Sequence, residues 1–202
     1  MAQSGRRNEV RIGGGNWRGR KLPFPDAEGL RPTPDRVRET LFNWLRNSIY
    51  DARCLDLFAG SGALTFEALS RGAKEVVCVE SERPIVETLR KSSSILGTNS
   101  VNIVRANAEV FLSTETPQPF DIVFLDPPFQ RGLLQRVCPL LEARGWLSDT
   151  ALIYLEAERD IAEWSVPPNW QIIRDKSAGQ VRYALAQRNL ASATQPLLGA
   201  VN

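Results

Sequence analysis

Apolar positions along the chain fall into short runs separated by polar, glycine- and proline-bearing stretches, and the spacing within each run predicts its element. Cys54–Phe58, Val76–Val79, Val101–Val104, Phe120–Leu125 and Ala151–Glu156 are continuous or near-continuous apolar runs, the pattern of strands buried on both faces. Between them, Ala63–Arg71, Arg83–Leu96 and Leu133–Arg144 have helical composition or amphipathic spacing. Strand and helix in alternation predict an α/β domain built on a parallel sheet. Trp170–Arg174 and Val181–Gln187, joined by Asp175–Gln180, read instead as an antiparallel pair. Upstream, Thr33 as N-cap with Pro34 in the first turn predicts a helix start. Val37, Leu41 and Leu45 then make its buried face, with Arg36, Thr40 and Asn43 together on another. Alternation around Val10 and Ile12, and again at Leu22 and Phe24, points to a short hairpin.

Composition narrows the class only a little. At 202 residues, 43% hydrophobic and 24% charged, the chain is expected to form one soluble globular domain. No apolar run is long enough to span a bilayer, and Met1–Gly5 lacks the apolar centre of a signal peptide, so no membrane partner is expected. Three cysteines, Cys54, Cys78 and Cys138, are an odd number with no Cys-x-x-Cys pair. Buried, reduced thiols and a cytoplasmic location are expected from that usage. Histidine is absent, which removes the usual general base and the commonest metal ligand; no metal site is expected.

The chemistry concentrates where the Cys54–Phe58 run breaks into Ala59-Gly60-Ser61-Gly62. A strand, a glycine turn and a helix N-terminus in that order form a nucleotide-shaped site. A dinucleotide fingerprint would carry a third glycine where Thr65 stands, and a P-loop would carry a lysine after the turn; neither is present. Asp56, inside the strand, suits a ligand bearing an ammonium and a sulfonium, as S-adenosylmethionine does. Glu80 ends the second strand, 20 positions past Gly60, where a carboxylate can hold the two hydroxyls of a ribose. After the third strand, Asn107 could reach an adenine edge, with the backbone N–H beside it at Ala108. The expected cofactor set is therefore Asp56, Phe58, Gly60, Gly62, Glu80, Asn107 and Ala108.

A second informative stretch follows the fourth strand: Asp126-Pro127-Pro128-Phe129. Two successive prolines fix φ and lack N–H groups, so the turn is stiff. The Asp126 carboxylate and the Pro127 carbonyl form an acceptor pair suited to a planar amino group with two N–H bonds. Phe129 offers a face on which the attached base can stack. Asp126, Pro127 and Phe129 are the expected catalytic residues.

Charge is uneven. Residues 1–46 carry ten Lys/Arg against five Asp/Glu, so a net +2 for the whole chain hides a basic beginning on a slightly acidic remainder. An anionic partner met at that end is expected. Arg11, Trp17, Arg18, Arg20, Lys21, Arg31, Arg36 and Arg38 are the candidate RNA contacts, arginines for phosphates and the indole for a base. Three segments follow: a basic extension over 1–32, a catalytic domain over 33–190, and a disordered tail over 191–202.

These residues meet a known family. The glycine turn, Glu80 and Asp-Pro-Pro-Phe together resemble class I S-adenosylmethionine-dependent methyltransferases that modify exocyclic amines. Arg11-Ile12-Gly13-Gly14, Trp17-Arg18-Gly19-Arg20-Lys21-Leu22, the stretch Gly29–Leu45 and Leu69-Ser70-Arg71-Gly72-Ala73 narrow the resemblance to the RsmD family of 16S rRNA guanine-N2 methyltransferases. The resemblance covers roughly residues 10 to 187. It implies a Rossmann-like, seven-stranded, mostly parallel sheet with its last strand antiparallel, and S-adenosylhomocysteine as the product of the cofactor. It also implies a guanine of 16S rRNA, in the small ribosomal subunit or its assembly intermediate, as substrate; a monomer is expected. One departure is visible: Ala106-Asn107-Ala108 stands where relatives carry an acidic residue beside the alanine. Rival readings are an amino-methyltransferase acting on DNA adenine or another RNA, and a non-catalytic ribosome-assembly factor.

Overall fold

The computed structural model describes residues 8–25, 33–129 and 131–190. Elements follow in the order β1 (Glu9–Arg11), a 3-10 turn (Gly15–Trp17), β2 (Lys21–Pro23), α1 (Asp35–Trp44), β3 (Arg53–Asp56), α2 (Ala63–Ser70), β4 (Glu75–Glu80), α3 (Arg83–Leu96), β5 (Val101–Arg105), α4 (Ala108–Thr114), β6 (Phe120–Leu125), α5 (Leu133–Ala143), β7 (Leu147–Glu158), β8 (Trp170–Ala178) and β9 (Val181–Arg188). Strands β1 and β2 pair as the expected hairpin, Val10 opposite Leu22. The other seven form one sheet in the order β5-β4-β3-β6-β7-β9-β8. Strands β3 to β7 pair in parallel, and β9 runs antiparallel to both of its neighbours.

Side chains alternate across this sheet and build a core on each face. Cys54, Cys78, Ile122, Phe124 and Tyr154 point into one, shared with Leu41 and Phe42 of α1, Phe66 of α2 and Leu89 of α3. Their neighbours Leu55, Val79, Val123, Leu125 and Ile153 point into the other, shared with Phe111 of α4 and Val137 and Leu141 of α5. The predicted stripe Val37, Leu41, Leu45 is fully buried. The hairpin's Val10, Ile12 and Leu22 belong to the same core as Cys54 and Phe66, so the extension is packed onto the domain rather than appended to it.

Two local expectations change. Helix α1 begins after Pro34, with no side-chain cap, because the Thr33 hydroxyl is engaged elsewhere. The segment after β5 forms α4, whose N-cap is Asn107. Arg31 and residues 191–202 lie outside the described residues.

Strand order locates the site. The chain runs outward from β3 through β4 to β5, then crosses back to place β6 on the other side of β3. The carboxyl ends of β3 and β6 thus flank the point where the winding reverses, the place where open α/β sheets bind ligands.

Candidate active site

Asp56 and Phe124 are register partners in β3 and β6, so the glycine turn and the Asp-Pro-Pro-Phe turn leave adjacent strands side by side. Asp56 is 1% exposed. Its Oδ2 accepts a 2.6 Å hydrogen bond from the Thr65 hydroxyl, while its Oδ1 has no protein partner. Burial raises its pKa to about 7, opposed by the Thr65 hydroxyl and the nearby Phe58 backbone N–H, and raised further by Asp126 and Glu80. Thr65, which reads in the sequence only as the missing third glycine, is the anchor that holds this carboxylate.

The glycine turn is held by backbone geometry. Gly60 and Gly62 have φ of 49° and 77°, the left-handed region. The Gly60 N–H donates to Glu80 Oε2 at 3.0 Å, and the Glu82 N–H donates to Glu80 Oε1 at 2.9 Å. The Ser81 hydroxyl also donates to Oε1, at 3.4 Å. Glu80 thus ties the turn to the end of β4, while Oε2 keeps a second lone pair on a half-exposed side chain. A Cβ on Gly62 would lie 2.6 Å from Leu89 and 2.7 Å from Phe66, so this glycine serves the packing of α2 against α3. Phe58 is half-buried against the second core.

Asn107 departs from its expected role. Its Oδ1 accepts from the N–H groups of Glu109 and Val110, capping α4, so the side-chain acceptor is not available to an adenine. Ala108, next to it, is buried.

At the end of β6, Asp126 is half-buried, Pro127 buried, and Pro128 and Phe129 exposed, Phe129 by 40%. Thr33 Oγ1 donates to Asp126 Oδ2 at 3.0 Å. Burial raises the Asp126 pKa to about 8; Glu156 raises it further and the Thr33 bond opposes the rise. A small cavity of about 70 Å³ opens beside this turn, lined among others by Pro127, Phe129, Glu156 and Trp164. Among the described residues no cluster of three metal-ligating side chains occurs. The three cysteines are buried and free, with thiols that burial pushes up and leaves unreactive.

The basic segment divides into two kinds of residue. Arg38 is 3% exposed: its guanidinium donates to the Arg11 carbonyl and to Asp35, and lies 3.5 Å from Glu67. A buried, paired arginine cannot reach a phosphate, so Arg38 is structural. The Trp17 ring is half-buried against the core, and its backbone N–H donates to Ser70 Oγ, so it is not a free stacking platform. Arg20 donates to the Ile95 carbonyl and Lys21 pairs with Glu9 at 2.9 Å, both at the surface. Arg11, Arg18 and Arg36 are exposed, with no side-chain partner among the described residues.

What fastens this segment is α2, a feature the sequence reading missed. Glu67, 1% exposed, accepts from the Gly13 N–H at 2.7 Å and from Arg71 Nε at 2.7 Å. Ser70 Oγ donates to the Gly14 carbonyl. A Cβ on Gly15 would lie 1.7 Å from the Ser70 carbonyl oxygen, so Gly13-Gly14-Gly15 is a close-approach surface. A charged and a hydroxyl residue at 67 and 70, inside an otherwise apolar helix, are the signal that could have revealed it.

The chain resembles known proteins in sequence and in fold. Ribosomal RNA small subunit methyltransferase D of Escherichia coli K12 is 54% identical over 180 residues, 89% of this chain and 90% of that one. Its counterpart from Haemophilus influenzae is 47% identical, covering 90% of this chain and 95% of the other. The solved structure of the yhhF protein of Escherichia coli superposes with a TM-score of 0.84 at 53% identity, covering 90% of this chain and 99% of that one. A family model described as conserved hypothetical protein 95 matches residues 10–187. The chain therefore belongs to that family, the family of ribosomal RNA small subunit methyltransferase D.

Proposed function

We propose that this protein transfers a methyl group from S-adenosylmethionine to the exocyclic N2 of a guanine in 16S rRNA. The observation that carries this reading is the meeting of two turns at the winding reversal. One bears a buried carboxylate with an unpartnered oxygen, the other an acceptor beside an exposed aromatic ring. The residues present fit the cofactor. Asp56 Oδ1 is a buried acceptor without a partner, suited to cationic or N–H groups, and Glu80 keeps acceptor capacity at the end of β4. Asp56, Gly60 and Glu80 would hold S-adenosylmethionine, which when bound supplies an electrophilic methyl group on a sulfonium.

The chain's own residues handle the acceptor. The guanine is extruded and stacks on Phe129, while its amino group donates to Asp126 and the Pro127 carbonyl. The amine lone pair is conjugated into the purine and is a poor nucleophile. Two acceptors draw the nitrogen toward tetrahedral geometry and stabilise positive charge as it grows, and in-line positioning does the remainder. Arg11, Arg18 and Arg36 are left for phosphates. The relatives' names, which specify small-subunit ribosomal RNA, support the choice of nucleic acid. The cytoplasm, where ribosomal subunits are assembled, is the compartment this reading requires, and reduced buried thiols accord with it. Exposed large apolar side chains in the described residues, Tyr50, Ile95, Val110, Phe129 and Leu190, lie on different elements, which favours a monomer.

Single-turnover methylation of small subunits from a strain lacking the gene, with mass mapping of the product, tests the reading. Asp126→Ala should bind S-adenosylmethionine nearly normally and transfer methyl roughly 10²-fold more slowly or worse, as on loss of an oxyanion donor. A fully active Asp126→Ala protein, or a methyl mark elsewhere than guanine N2, would overturn it.

A further inference from the structure

Asp126 does not stand alone. Leu125 of β6 and Leu155 of β7 are register partners, so the next residues, Asp126 just past the end of β6 and Glu156 within β7, lie side by side. Glu156 is 4% exposed, lines the small cavity with Pro127 and Phe129, and accepts a 2.6 Å hydrogen bond from the Tyr154 hydroxyl on Oε2. No role in cofactor or base binding uses this second carboxylate, yet burying a carboxyl is costly unless it does something the site needs. The reaction leaves one such need unmet. A methylated amine carries an extra proton, and a chain with no histidine has no ordinary base to take it.

We propose that Glu156 is a positioning residue for Asp126: its carboxyl, held by Tyr154, makes Asp126 the proton acceptor for the target amine and passes that proton to the cavity. This rests on the methyl-transfer reading above. The step balances simply. The N–H bond of the cationic amine breaks, its electron pair stays on nitrogen, and the proton forms an O–H bond on Asp126. It then moves to Glu156 and to solvent through the cavity, which returns the pair to its starting charge.

The surroundings agree. Two carboxyls side by side do not both ionise easily, so each raises the proton affinity of the other. Burial raises both, and Glu156 adds to the rise at Asp126, bringing it to about 8. The groups facing the pair are Thr33, which donates to Asp126, Tyr154, Tyr183 opposite Glu156 on β9, and Asp56 across β3. Arg131, Glu158 and Glu163 stand at the cavity rim. None of the four that face the pair is a cation that would hold both carboxylates ionised.

The test joins a titration with kinetics. In the full-length protein, the carboxyl carbon of Asp126, observed by NMR after labelling of aspartate, should titrate well above the usual carboxylate range. The kcat/KM for methylation of small subunits should rise with pH to the same midpoint, since that parameter reports the free enzyme. Glu156→Gln keeps the side chain's shape and its acceptor for Tyr154, and should lower both midpoints by about one pH unit or more. Tyr154→Phe removes the bond that favours ionised Glu156, so it weakens the charge beside Asp126 and should shift both midpoints downward as well, by less, which carries the test if Glu156→Gln fails to fold. Asp126→Asn keeps an acceptor but cannot take a proton, so it should retain part of the rate and lose the pH dependence. An Asp126 titration unmoved by either neighbouring variant overturns the pairing. A titration that moves while the kinetic midpoint stays put overturns the proton-transfer role. A normal titration in a protein that methylates no small-subunit RNA overturns that role through the substrate reading, which separates the two failures.

Discussion

Thr33 and Asp126, 93 residues apart in sequence, are joined by a 3.0 Å hydrogen bond between the threonine hydroxyl and carboxylate Oδ2. The hydroxyl sits at the doorway of α1 and is 5% exposed, so water does not replace it readily. It favours the ionised carboxylate, opposing the rise that burial imposes. Thr33→Val keeps the shape and removes the donor. Its kcat/KM midpoint should move to higher pH, opposite in sign to Glu156→Gln, and the protein should lose about 1–3 kcal/mol of stability. Cofactor affinity measured by calorimetry should not change. A midpoint moving downward would contradict the assigned direction of that bond.

The basic residues should separate into two classes. Arg38→Ala removes the partner of Glu67 from a buried cluster and should destabilise the protein by about 3–5 kcal/mol in urea unfolding. Arg18→Ala and Arg36→Ala should leave stability within about 0.5 kcal/mol. They should instead weaken RNA binding, flattening its salt dependence by about one unit per lost phosphate contact. An Arg36→Ala protein with unaltered RNA affinity and salt slope would remove that residue from the interface.

Asp56 links stability to function through pH. Its folded pKa, about 7, lies above the 3.8 of an unperturbed aspartate. A folded state that holds the proton more tightly gains stability that is complete below the unfolded value and lost as pH rises through the folded one. Between pH 4 and 8 this group alone should therefore cost stability as pH rises, on the order of 3–4 kcal/mol at the upper end. Asp56→Asn, which keeps an acceptor for Thr65, should be more stable than wild type at pH 8 and indistinguishable near pH 4. Its affinity for S-adenosylmethionine should fall. Thermal unfolding at the two pH values checks the first claim, calorimetry the second.

Gly15 tests the docking of the basic segment. With φ of 73° and a Cβ position 1.7 Å from the Ser70 carbonyl, Gly15→Ala cannot be accommodated without moving backbone. The segment should detach, exposing 8–25 to limited proteolysis and weakening RNA binding. Gly19→Ala, at φ 85° with nothing within 4 Å of its Cβ, is the control for backbone conformation alone.

The sheet and its order of helices were legible because continuous apolar runs with helical segments between them leave few alternatives. The placement of Glu80 and Asp126 at the ends of β4 and β6 was legible for a related reason: each is the first polar residue after an apolar run. The misreadings share another cause. Arg38, Trp17 and Thr33 read in the sequence as surface or local residues, but each answers to a partner at least 27 positions away, beyond any local rule. Asn107 reads in the sequence as facing a ligand, but the helix beginning at Ala108 uses its oxygen as a cap. Glu67 was hidden by its neighbours, since an acidic residue in an apolar run reads as a break in the pattern rather than a buried junction.

The fastening of the first residues to α2 bears on how the protein is made. Gly13, Gly14 and Trp17 bond to Glu67 and Ser70, 53 to 56 positions later. A chain synthesised from its N-terminus presents the basic segment first, yet the segment has nothing to dock on until α2 has left the tunnel, and Thr33 waits longer still for Asp126. During translation, a cationic stretch is thus loose beside ribosomal RNA, the class of molecule the finished protein modifies. Closure of the hairpin onto α2 is what withdraws Arg38 from that encounter and leaves Arg11, Arg18 and Arg36 facing out.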